Sequence, residues 1–89
     1  MSVIMTPSSE LNEFLGMNDD DRELRVKRYC YDKGKGASFD LKLSMTEIFS
    51  ISYNYVDFKI IEEELRKTLD DFSRKGIIKR FEGDLYECQ

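Results

Sequence analysis

"SRKGIIKRFEGDLYEC", residues 73–88, decides how the rest of the chain is read. A helix-like run ends at Gly76, two isoleucines follow, and Glu82-Gly83-Asp84 separates them from Leu85-Tyr86-Glu87-Cys88. Glycine takes a left-handed helix exit at least cost, because it has no Cβ to meet the preceding carbonyl. Apolar residues on both sides of a short Gly-containing acidic stretch suit two strands joined by a tight turn. The order predicted is therefore helix, helix end, strand, turn, strand.

Upstream, Phe58, Ile61, Leu65, Leu69 and Phe72 recur at spacings of three and four, which makes one apolar stripe along a single helix over residues 58–75. Glu62, Glu63, Arg66, Lys67, Asp70 and Arg74 take the opposite face, and Asp57 is the expected cap. Before the break at "SYNY", residues 52–55, Ser44-Met45-Thr46-Glu47 reads as a capping box opening a short helix with Ile48 and Phe49. "SFDLKL", residues 38–43, alternates Phe39, Leu41 and Leu43 with Asp40 and Lys42, as a half-buried strand does. "KGKG", residues 33–36, is a basic glycine turn and lacks the pattern of a phosphate-binding loop.

Residues 22–33 admit two readings. Early acids at Asp20 and Glu23, later bases, and an exit at Gly34 favour a helix, with Val26, Tyr29 and Cys30 on one side and Leu24 and Tyr31 on the other. The Val, Tyr and Cys content and the Leu24–Val26 alternation favour a strand. Helix is preferred. Pro7-Ser8-Ser9-Glu10 followed by Leu11, Phe14 and Leu15 is a short capped helix ending near Gly16.

The order helix, strand, short helix, long helix, hairpin over residues 20–89 resembles the winged helix-turn-helix superfamily, most densely in "LRKTLDDFSRKGIIKRFEGDLYE". Leu65, Leu69, Phe72, Gly76, Ile77, Lys79 and Arg80 match its passage from recognition helix into wing. The resemblance implies an α+β fold, with three core helices, a small antiparallel sheet and a C-terminal wing hairpin. A tail and short helix, residues 1–19, precede it. In this reading Leu65, Leu69 and Phe72 bury against the first two helices, Ile77 and Leu85 cover the open edge of the core, and Phe39 and Leu41 supply the third strand.

The chain has 89 residues, 40% of them hydrophobic, with six Phe and five Tyr. That is one small domain with one modest core. No apolar run reaches membrane-spanning length, and the first ten residues do not read as a signal peptide. Cys30 and Cys88 are too few for a disulfide scaffold, so the expectation is free thiols and a cytoplasmic setting, or a nucleoid or nuclear one if the chain binds DNA. The formal charge is −4, in alternating blocks of −5 (residues 1–23), +4 (24–43), −4 (44–72) and +1 (73–89).

Histidine is absent, which removes the commonest general base and metal ligand. Two cysteines alone do not make a zinc site, and neighbouring carboxylates such as Glu63 and Glu64 point to different sides of a helix. The expectation is a non-enzymatic binding module without metal or cofactor. The superfamily resemblance suggests double-stranded DNA as partner and transcription regulation as role. Lys42, Arg66, Lys67, Arg74, Lys75, Lys79 and Arg80 would then supply phosphate contacts. Glu62, Glu63 and Glu64 at the exposed helix start oppose phosphate, so docking led by the wing fits the charges better. The alternative is a protein-interaction adaptor or inhibitor that uses Glu62, Glu63, Glu64, Tyr53 and Tyr55, with Tyr86 as a further anchor if exposed. A homodimer, if formed, is expected through residues 8–17 or an edge strand.

Overall fold

The structure, a computed structural model, describes residues 9–52 and 55–89. Helix α1 spans Ser9–Gly16 and α2 spans Asp19–Lys33. Strand β1 is Ser38–Phe39, α3 is Leu41–Leu43 and continues as a π-helical turn over Ser44–Ile48, and α4 spans Tyr55–Arg74. Strands β2, Ile78–Arg80, and β3, Tyr86–Cys88, form the hairpin. The sheet order is β1-β3-β2, antiparallel throughout, with Phe39 opposite Tyr86 and Ile78 opposite Cys88. This is the architecture of a small winged helix-turn-helix domain, with α2, α3 and α4 as its core helices and the β2–β3 hairpin as its wing. Among the described residues no helix is long and apolar enough to cross a membrane.

Residues 22–33 are helical. The Asn18 side chain caps α2 by accepting from the Asp21 amide at 2.8 Å, and Asp19, Asp20 and Asp21 fill the first turn, where carboxylates complement the helix dipole. Helix α4 ends as its glycine requires. Gly76 has φ +81°, Ile77 N–H returns to Phe72 C=O at 3.0 Å, and Gly76 N–H donates to Ser73 C=O at 3.0 Å. These two bonds are the paired closure of a left-handed helix exit.

The segment 38–43 differs from its alternating pattern. Only Ser38 and Phe39 pair as a strand. The Asp40 carboxylate accepts from the Leu43 amide at 2.7 Å and starts a helix there. Leu41 is buried from that helix, not from a third strand, and Leu43 is exposed. Ser44 consequently lies inside a helix, donating its hydroxyl to Leu41 C=O at 2.6 Å, and is not the head of a capping box. The Phe49 amide bonds Ser44 C=O at 3.0 Å, the five-residue spacing of a π turn. Asp57 is likewise not a cap, since α4 begins before it at Tyr55.

The core joins Leu11 and Phe14 of α1, Val26 of α2, Phe39, Leu41, Met45, Ile48, Phe49 and Ile51 to Ile61, Leu65, Leu69 and Phe72 of α4. The sheet closes it with Ile78, Tyr86 and Cys88, while Leu85 is exposed and Ile77 and Phe58 are only partly buried. Edge-on rings of Phe14 and Phe49, 4.7 Å between centroids, join α1 to the segment after the π turn.

Cys30 and Cys88 form a disulfide, with Cα atoms 5.4 Å apart. The expectation of two free thiols is overturned. Too few cysteines for a scaffold is no argument against a single staple, and the fold carries the C-terminal end of α2 to the central strand β3.

Candidate functional site: the outer face of α4 and the wing

The buried stripe of α4 fixes which residues face out. Opposite Ile61, Leu65, Leu69 and Phe72 lie Val56, Lys59, Ile60, Glu63, Lys67, Asp70 and Arg74. Val56 and Ile60 are 39% and 45% exposed, which leaves an apolar pair on the first half of the helix.

The three carboxylates Glu62, Glu63 and Glu64 have different fates. Glu64 accepts from Arg22 at 2.7 Å, and Arg22 also donates to Thr68 Oγ1 at 2.9 Å and to Phe14 C=O at 2.9 Å. Arg22 is buried and lies 4.1 Å from the Phe14 ring centroid, so it ties α1, α2 and α4 together and draws Glu64 to the α2 side. Glu62 faces Arg66 at 3.4 Å and Lys59 at 3.9 Å. Glu63 is exposed and has no ion-pair partner among the described residues.

The basic residues singled out from sequence are also divided. Arg66 clasps Asp84 of the wing with two bonds, Nε to Oδ1 at 2.9 Å and Nη2 to Oδ2 at 3.0 Å. The hydrogen bond and charge of Arg66 hold the Asp84 carboxyl below its ordinary value, and Asp84 in turn raises the Arg66 guanidinium. Arg80 is bound by Asp70 at 3.0 and 3.1 Å and by Gly83 C=O at 3.2 Å. Asp70 also accepts from the Tyr86 hydroxyl at 2.9 Å. Burial of Tyr86, then this bond to a carboxylate, push its phenol well above the ordinary value. Tyr86 is thus a core residue and not an exposed anchor.

Arg74 pairs with Asp71, and Lys75 turns towards Glu23 of α2 at 3.3 Å. Lys42 is exposed, 5.4 Å from the Phe58 ring, and lines a shallow depression with Leu43, Thr46 and Leu85. Lys79 is exposed on the wing, 5.2 Å from the Phe81 ring, and Lys67 has no ion-pair partner among the described residues. Tyr53 lies outside the described residues, as does the side chain of Tyr55. Val56, Lys59 and Ile60 were not singled out from sequence. Their signal was the complement of the apolar stripe, positions 56, 59, 60, 63, 67, 70 and 74.

The outer α4 face thus carries apolar, basic and acidic groups in alternation, and the wing is latched to it by Arg66–Asp84 and Arg80–Asp70. Among the described residues no group of three or more His, Cys, Asp or Glu could hold a metal ion. Comparison with protein-family models, with curated proteins and with solved structures finds no match to this chain.

The latch has a pH signature. Because the Asp84 carboxyl is lower in the folded chain than its ordinary 3.8, its contribution is complete above that value and is lost as pH falls through the folded value. Both partners are partly solvated, so Asp84→Asn should lower stability at pH 7 by under about 1 kcal/mol. Urea midpoints of the two proteins should draw together as pH falls below 3.8 and through the lower folded value, once the carboxylate is protonated in both states. A gap that does not narrow anywhere as the pH is lowered from 7 through the acid range would show that the latch does not hold the wing.

Proposed function

We propose that this winged-helix module binds double-stranded DNA, with the outer stripe of α4 in the major groove and the wing over neighbouring phosphates. The observation that supports this reading most is the internal use of Glu62 and Glu64. The main objection from sequence was three carboxylates beside phosphate, and the pairings reduce it to Glu63 alone. The remaining stripe is chemically suited to base edges. Val56 and Ile60 offer apolar contact to thymine methyls, Lys67 offers charge to phosphate or guanine, and a single glutamate can accept from cytosine N4. Arg66 and Arg80 are assigned to the latch instead of to phosphate. A role in transcription regulation is the use such a module would serve.

A second reading, docking of the same stripe onto a protein, draws on the exposed Val56–Ile60 pair beside Glu63. Titration with mixed-sequence duplex at two salt concentrations separates the two. Under the DNA reading, Lys67→Ala and Lys79→Ala each flatten the salt dependence by about one unit, Arg80→Ala changes it by less, and Glu63→Gln tightens binding. A protein that leaves duplex DNA unbound at low ionic strength would sink the reading.

A further inference from the structure

The outer face of α2 is used by neither the core nor the proposed DNA site. Arg22, Val26, Tyr29 and Cys30 face inward, so Asp20, Leu24, Arg28 and Tyr31 lie on the far side of α2 from α4. Tyr31 is 89% exposed and Leu24 49% exposed. An aromatic ring, an arginine and a leucine on one helical line have the composition of an interface anchor. Beside this line, Glu13, Gly16, Met17, Leu24, Arg25 and Arg28 line a groove between α1 and α2. A second depression, between Leu24, Arg28 and Tyr31, adjoins it.

The charge along this face has a direction. Its head is acidic, with Asp19, Asp20 and Asp21 in the first helical turn. Its tail leads to Lys35 on the exposed turn after Lys33. Asp20, Arg28 and Lys35 make no ion pair among the described residues. The face has Asp20 at one end, Lys35 at the other, and Leu24, Lys27, Arg28 and Tyr31 between them, so unlike charges meet at both ends when two copies lie antiparallel. Self-complementarity about a two-fold axis is what an isologous dimer requires.

We infer that the partner of this face is a second copy of the chain, joined α2 to α2 about a two-fold axis near Lys27 and Arg28. In that register Tyr31 of each copy lies over Leu24 of the other and enters the α1–α2 groove, and Asp20 of each copy meets Lys35 of the other. Lys27 and Arg28 of both copies lie near the axis, where Glu23, 3.0 Å from Lys27, and Asp32, one turn on from Arg28 and exposed, supply counter-charge. The 8–17 segment expected to form a dimer contributes Glu13 and Gly16 to the rim of the groove and keeps Leu11 and Phe14 in its own core. The inference is independent of what α4 binds.

Sedimentation equilibrium of the full oxidised chain, without DNA, tests it. The expected result is a reversible dimer, weakened at least about tenfold by Tyr31→Ala. Asp20→Lys alone and Lys35→Asp alone should each weaken it, and the two together in one chain should restore it, because each end then meets its opposite again. Tyr31 and Lys35 are exposed, so thermal melting of Tyr31→Ala and Lys35→Asp should match the parent under conditions where both are monomeric, and Asp20→Lys, in the first turn of α2, should lower it only slightly. A chain that remains monomeric to about 1 mM, a dimer indifferent to Tyr31→Ala, or a double charge exchange without recovery would each overturn the inference.

Discussion

Leu69→Ala lowers the unfolding free energy by about 2–5 kcal/mol, the cost of removing a buried isobutyl group and leaving a cavity its neighbours only partly fill. Leu69 is fully buried, between Leu65 and Phe72 on the stripe that α4 presents to the core. A domain of this length has a total stability of roughly 4–13 kcal/mol, so the substitution takes a large share of it. Urea unfolding at neutral pH reads the effect as a shifted midpoint with an unchanged slope. Ile60→Ala is the internal control. Ile60 sits on the opposite, exposed face, and its truncation should change stability by no more than about 0.5 kcal/mol. If the two variants melt alike, α4 has been assigned the wrong face, and with it the proposed DNA stripe.

What was legible in the sequence was whatever repeats. The α4 stripe has five apolar residues at helical spacing, and one period explains them all, so the helix and its buried face followed directly. Gly76 and the residues after it were legible because a left-handed exit strongly favours one residue type. Residues 38–43 misled because Phe39, Leu41 and Leu43 alternate as a strand would over a window too short to distinguish two periods. One hydrogen bond decides that window. Asp40 caps Leu43, and a cap formed by a side chain three residues back leaves no alternation signal. Ser44 then lost its capping role because the helix had already started three residues earlier, at Leu41.

The candidate site was legible as a face but not as a set of partners. Sequence placed Glu63, Lys67 and Arg74 on the exposed side of α4, and Glu62 and Arg66 lie half-buried at its flank. It gave no means of knowing that Arg66 would turn to Asp84, 18 residues on, or that Glu64 would meet Arg22, 42 residues back. Such pairs depend on which helix face meets which loop, and that is settled by the packing of Leu65, Leu69 and Tyr86. The consequence is functional. Two arginines that charge counting assigned to phosphate are used to fix the wing, and of the glutamates that counted against DNA, Glu64 ties α4 to α2 and Glu62 pairs within α4.

Replacing Cys30 and Cys88 together by alanine should lower stability by about 4 kcal/mol. The bond closes a loop with a sequence separation of 58, and a cross-link of that span removes about this much free energy of disorder from the unfolded chain. Its position makes the loss local as well as global. Cys88 is fully buried in the central strand, its N–H donates to Ala37 C=O at 2.8 Å, and its C=O accepts from the Gly36 amide at 2.8 Å. The disulfide therefore anchors to α2 the strand on which both β1 and β2 pair. Without it the wing keeps the hairpin bonds, the pairing of β3 with β1 and with Gly36 and Ala37, Ile78, Tyr86 and the two ion pairs to α4. Amide exchange should accordingly accelerate most in β2 and β3 and least at Leu65 and Leu69 in the middle of α4. Thiol quantification in denaturant, on protein purified without reductant, should find neither cysteine free. If reduction leaves the urea midpoint unchanged, the bond does not contribute to holding the wing. If instead reduction loosens β2 and β3 while α4 stays protected, the staple is what joins the wing to the helical core.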